Sequence, residues 1–175
     1  MAEPSLIDGF RAAFRGHPSG VALVTAAGTD GPVGLTTSSV VSVSVDPVSL
    51  AYVISGSGPN AEGLLHAGTC VVHMLGAHDV ELAQTFARSG SERFTPEQGW
   101  VTLPTGEPYL PSGRVALRCR TRDVVSVGTS RLVVAEVVEV IEGSPGEPVV
   151  YQDRAFHTLR RVTPRDPRNT PTDAV

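Results

Sequence analysis

The chain has 175 residues, 41% of them hydrophobic, and 14 Lys and Arg against 18 Asp and Glu give it a formal net charge of −4. That length suits a single domain with a core of its own. The acidic balance and the scattered arginines leave no basic stripe for nucleic acid or an anionic membrane surface, and no apolar run approaches the ~20 residues of a membrane-spanning helix.

From the N-terminus, Ser5 with Asp8 has the form of a capping box, and Leu6, Ile7, Phe10, Ala13 and Phe14 follow at helical spacing as far as Gly16. Glu3 and Asp8 stand where a signal peptide would be basic and then apolar, so the expected compartment is the cytoplasm. Residues 21–26 read as a strand, the stretch from Gly28 to Gly31 as a turn, and the valine-rich run 33–45 as its hairpin partner, closed by Asp46 and Pro47. A strand over 48–54 leads into the small-residue loop Ser55, Gly56, Ser57, Gly58, Pro59, and then into a short helix over 60–67 with Asn60 as its cap. A strand over 69–75 and a helix over 79–88 follow, and residues 90–113 read as irregular surface. Two long alternating segments, 114–127 and 131–141, pair around Gly128, Thr129 and Ser130, and the last ordered segment is 149–159. The expected domain is therefore 1–161, with 162–175 a disordered tail of almost no apolar content. Many strands in hairpins and only short peripheral helices predict a mainly β fold, an antiparallel barrel whose closure removes exposed edges.

The run 33–45 has an unusual centre: Thr36, Thr37, Ser38 and Ser39 in succession. Taken as one strand, it turns hydroxyl on both faces at the same height, since Thr37 and Ser39 share the face of Val33 and Leu35 while Thr36 and Ser38 share that of Gly34. A buried hydroxyl without a partner costs about 1–3 kcal/mol, so these need backbone partners, a bound polar ligand, or, on an edge strand, water.

Common catalytic patterns are missing: there is no Walker loop, HExxH or nucleophile elbow. Cys70 and His73 have C-x-x-H spacing, but an odd separation on a strand sends the side chains to opposite faces, so no metal site is expected. The two cysteines, Cys70 and Cys119, sit in β-type apolar segments and read as core thiols. Residues 56–61 fit G-x-G-x-x-A with Asp79 about twenty residues on, as in a dinucleotide fingerprint, yet the helix is too short for a crossover. A Ser/Gly loop feeding a helix N-terminus still offers N–H groups and hydroxyls to a phosphate, or is an ordinary capped turn.

Phe14, Arg15 with Pro18, Ser19, Gly20, Val21, then the run from Gly31 to Val40 with Ser42, Val43, Ser44 and Asp46, Pro47, resemble the flavin reductase-like family with the FMN-binding split-barrel fold. Leu82, Ala83, Phe86, Ala87, Arg93, Phe94 and the closing stretch from Tyr151 to His157 extend the resemblance over roughly residues 8 to 160. It implies a homodimer that uses NADH or NADPH to reduce FMN or FAD, the reduced flavin diffusing to a partner flavin-dependent monooxygenase. It implies that Thr36, Thr37, Ser38 and Ser39 line the isoalloxazine and ribityl chain, and that Ser55, Ser57 and Asn60, with Arg93 as an added cation, approach the phosphate. Nicotinamide binding falls to Gly128, Thr129, Ser130 and His157, although the family's turn commonly reads Gly-Asp-His and here keeps only its glycine. Hydride transfer between stacked rings needs no protein nucleophile, so no catalytic side chain is assigned. The altered turn keeps a second reading open, a flavin- or deazaflavin-binding protein of this fold without nicotinamide turnover. A third is a dimeric interaction module whose hydroxyl strand is merely wet.

Overall fold

A computed structural model describes residues 5–161. Helix α1 (Leu6–Gly16) starts at Ser5, whose Oγ accepts the Asp8 N–H at 3.2 Å, and buries none of its side chains. Strand β1 (Ser19–Gly20) leads into the hairpin of β2 (Ala22–Gly28) and β3 (Gly31–Thr37), where Gly28 pairs with Gly31 and Gly31 takes a φ of 130° that a side chain would resist. Then come β4 (Val41–Val45), β5 (Val48–Ser55), α2 (Pro59–His66), β6 (Thr69–Met74) and α3 (Val80–Ala87). The remainder is β, with short β7 (Val101–Thr102) and β8 (Pro108–Tyr109), long β9 (Val115–Val127) and β10 (Ser130–Glu142), and a terminal hairpin of β11 (Val149–Gln152) and β12 (Ala155–Thr158).

Seven strands form one sheet in the order β3-β2-β6-β9-β10-β5-β4, all antiparallel. Its two edge strands, β3 and β4, are consecutive in the chain. Residues 38–40 therefore carry the backbone from one edge of the sheet to the other, and the sheet rolls into the expected barrel. This corrects the single strand over 33–45: one strand cannot pair at both edges, so the run breaks at its hydroxyls. The β1, β11 and β12 strands make a separate three-stranded sheet. A hairpin turn at Asp153 and Arg154, both with positive φ, divides the last segment into two strands, where the sequence pattern over 149–159 predicts one.

Strand β2 is buried on both faces. Ala22, Val24 and Ala26 pack into the barrel with Tyr52, Ile54, Val72 and Val133, while Val21 and Leu23 pack outward with Phe86, Leu110 and Val149. Cys70 lies opposite Cys119 in register, both free and buried in the inner cluster, and the Tyr52 hydroxyl, its pKa raised mainly by burial, sits 3.5 Å from the Cys70 Sγ. His73 faces the other way, as the odd spacing requires, with its imidazole against the carbonyl of Leu23 and the amide of Leu110. The dinucleotide-fingerprint match is not a crossover unit, because β5 pairs with β4 and β10 while β6 pairs with β2 and β9. Among the described residues no helix is long and apolar enough to cross a membrane. The expected tail, 162–175, lies outside the described residues.

Candidate functional site

Where the sheet edges meet, side-chain oxygens do the fastening. Ser39 Oγ accepts the Val53 N–H at 2.8 Å and lies 2.7 Å from Thr37 Oγ1, while Thr37 Oγ1 donates toward the Val53 carbonyl at 3.3 Å. These bonds stitch the end of β3 to β5 across the seam. Thr36 Oγ1 donates to the Ala83 carbonyl at 2.7 Å and so ties β3 to α3. Of the four hydroxyls, Ser38 alone is exposed and makes no hydrogen bond to the described residues. Backbone partners thus account for three of them, and one is left for a ligand.

The helices are fastened to the same strand. Asn60 is the second residue of α2 rather than its cap: Pro59 takes the first position, Gly58 is the cap without a side-chain bond, and Asn60 Oδ1 accepts the Gly34 N–H at 3.1 Å. A glycine cap leaves first-turn N–H groups of α2 without a side-chain acceptor, at the positive end of the helix. On the other side, a Cβ at Gly34 would stand 3.0 Å from Phe86 Cε1 and 3.1 Å from Phe94 Cζ, so bare backbone there lets the ring of Phe86 approach β3. Arg93 caps the end of α3: its Nη2 donates to the carbonyls of Arg88 at 2.6 Å and Phe86 at 3.2 Å, with the guanidinium 5.6 Å above the Phe86 ring. Its Nε is buried and has no protein partner among the described residues.

Between α1, α2 and α3 the barrel wall opens into a cleft of about 980 Å³. All eight positions expected at a flavin line it: Thr36, Thr37, Ser38, Ser39, Ser55, Ser57, Asn60 and Arg93. Phe10 and Phe14 of α1, ring centroids 4.6 Å apart, and Leu35 of β3 add apolar surface to its lining. Sequence periodicity marks α1 as amphipathic but carries no sign of where its apolar stripe lies. The chemistry fits a flavin mononucleotide: an apolar surface for a planar ring system, hydroxyls along a strand, and a Ser/Gly loop with the α2 N-terminus for a phosphate, with Arg93 on the same cleft.

The four positions expected at the nicotinamide line neither this cleft nor the second cavity described below. Ser130 pairs with Ser55, which sets the 128–130 turn beside the Ser/Gly loop, at the far rim. His157 is exposed on β12 and its Nε2 lies 3.3 Å from the Gln152 carbonyl.

A seven-stranded antiparallel barrel, split where its edges are bridged by a hydroxyl-rich linker and carrying a cleft with a phosphate-ready helix end, defines a flavin-type split-barrel protein. The chain belongs to the family described as the flavin reductase like domain, whose model matches residues 14–160. It is 36% identical over 159 residues to an NADH:FMN oxidoreductase of Rhodococcus qingshengii, spanning 89% of this chain and 81% of that protein. It is 37% identical over 132 residues to an NADH:riboflavin 5′-phosphate oxidoreductase of Streptomyces pristinaespiralis, 75% of each chain. In structure it superposes with a TM-score of 0.84 and 30% identity on a flavin reductase domain protein from Arthrobacter sp. FB24, covering 90% of this chain and 98% of that one.

Proposed function

We propose that the chain is a cytoplasmic NADH-dependent flavin reductase that reduces FMN, with FAD as the second flavin, and releases it to a partner flavin-dependent monooxygenase. The observation that carries this reading is the convergence of eight sequence-expected positions on one cleft, in a chain more than a third identical to enzymes named for NADH and FMN. Ser57 and the first turn of α2, with Ser55, Asn60 and Arg93 on the same cleft, would hold the phosphate. Residues 36–39 would hold the ring system, where Ser38 supplies the free hydroxyl and Phe10, Phe14 and Leu35 supply apolar surface. When bound, the flavin supplies the hydride acceptor. The hydride leaves the dihydronicotinamide, which becomes NAD+, and the accompanying proton comes from solvent, so the protein's part is to hold two rings in contact. We further propose a homodimer, because strands β4, β9 and β10 expose valines that one protomer leaves uncovered.

Gly128, Thr129 and Ser130 favour a second reading, flavin binding without nicotinamide turnover, since they lack the acid and imidazole of the family turn and line neither cavity. Anaerobic addition of NADH to the FMN-loaded protein separates the two. The flavin absorbance near its visible maximum is expected to bleach within the turnover time; retention of the yellow colour with both NADH and NADPH leaves only the binder.

A further inference from the structure

A second cavity, of about 520 Å³, adjoins the first. The two share Thr36, Thr37, Ser38 and Ala87 as a common wall. On its far side stands the β11–β12 hairpin, and its chemistry differs from that of the cleft. Tyr151 and Phe156 face it as an aromatic pair with centroids 5.0 Å apart, Arg88 comes from the end of α3 and Arg154 from the hairpin turn, and among the described residues no acidic side chain lines it. Asp153 is next to Arg154 in the turn, where its backbone N–H is held by the Arg15 carbonyl at 2.8 Å. Among the described residues neither Arg88 nor Arg154 forms an ion pair. Both are exposed. Two unengaged guanidinium groups beside aromatic faces suit a ligand that combines phosphates with a planar base.

We propose that this lobe holds the pyrophosphate of the reducing dinucleotide between Arg88 and Arg154. The assignment rests on the reductase reading and goes beyond it by naming the residues that grip the reductant. Hydride transfer requires the two rings to touch, and the two cavities meet along the shared wall at residues 36–38 and Ala87. A flavin entering from the cleft and a nicotinamide entering from the lobe meet there, each trailing its phosphates away from the contact. The adenylate half of FAD carries the same pyrophosphate chemistry, but the phosphate end proposed for its flavin is at α2, whose residues line the cleft and not the lobe.

The test compares NADH with N-benzyl-1,4-dihydronicotinamide, a reductant without phosphate, in Arg88→Ala combined with Arg154→Gly. Glycine is chosen because Arg154 has a φ of 64° and alanine there would strain the hairpin. The KM for NADH is expected to rise about tenfold or more, with kcat held within about twofold. The KM for the phosphate-free reductant, and the affinities for FMN and FAD, are expected to stay at the wild-type value. An unchanged KM for NADH overturns the assignment, as does an equal rise for both reductants. Weakened FAD binding with NADH unaffected gives the lobe to the flavin's adenylate and overturns it as well. A wild-type protein that oxidises neither reductant fails at the earlier step, the reductase reading itself, and removes the ground for this one.

Discussion

Ser38 and Ser39 are neighbours in sequence with opposite duties. Ser39 Oγ is the acceptor for the Val53 N–H, so Ser39→Val leaves a half-buried amide without a partner at the seam of the barrel. The expected cost is about 1–3 kcal/mol of stability, read as a lower denaturant midpoint. Ser38→Val removes no internal bond and should leave the midpoint within about 0.5 kcal/mol of wild type, while weakening FMN binding about threefold to tenfold. Fluorescence titration of FMN checks this, and wild-type affinity in Ser38→Val would remove that hydroxyl from the flavin site. Sequence alone treats the four hydroxyls alike, because the period-two pattern gives faces and says nothing of which carbonyl lies within reach. The same limit applies to Arg93, whose chemistry is legible as a cation but whose capping of α3 depends on where the helix ends.

Among the elements, β6 clamps the irregular stretch before β9 through one imidazole. Leu110 donates its N–H to His73 Nε2 at 3.1 Å, which fixes the proton on Nδ1, where it faces the Leu23 carbonyl at 3.3 Å. Burial pushes the pKa of His73 down to about 4 from the ordinary 6.5, because a charged ring would be desolvated and would lose its bond from Leu110. The unfolded chain takes up this proton near pH 6.5 and the folded one only near 4. The unfolded state therefore binds more protons in between, and stability falls as pH drops through that window. The full loss is about 3 kcal/mol, complete near pH 4. Denaturant midpoints at pH 7 and pH 4.5 should show this loss, and His73→Gln should flatten it. Glu107 anchors the same stretch from β8's side with its carboxylate on Arg118 Nε at 3.0 Å. Burial works to raise its pKa, but bonds from Thr105, Thr69 and the backbone together with Arg118 outweigh it and hold the carboxyl low.

For the whole molecule, the valines that one protomer cannot bury define the assembly. Val45 is 87% exposed and Val127 64%, on strand ends that protrude where β4 forms the sheet edge and β9 has run past its pairing with β6. Val45→Lys with Val127→Lys is expected to give a folded monomer in sedimentation equilibrium, whereas a dimer that survives both charges places its interface elsewhere. At this scale hydrophobic periodicity and turn chemistry, which are local, make the β character, the β2–β3 and β9–β10 hairpins and the helices that flank the cleft legible in the sequence. The eight positions found on the cleft follow instead from the family resemblance. It takes the folded molecule to show that the hydroxyl run is a seam between the two edges of a rolled sheet, that the oxygens of Thr37 and Ser39 are consumed in closing it while that of Thr36 ties β3 to α3, and that Arg88 and Arg154 face one lobe from elements more than sixty residues apart. Those facts depend on which strands become neighbours when the sheet curls, and a contact between distant segments leaves no local periodicity to read.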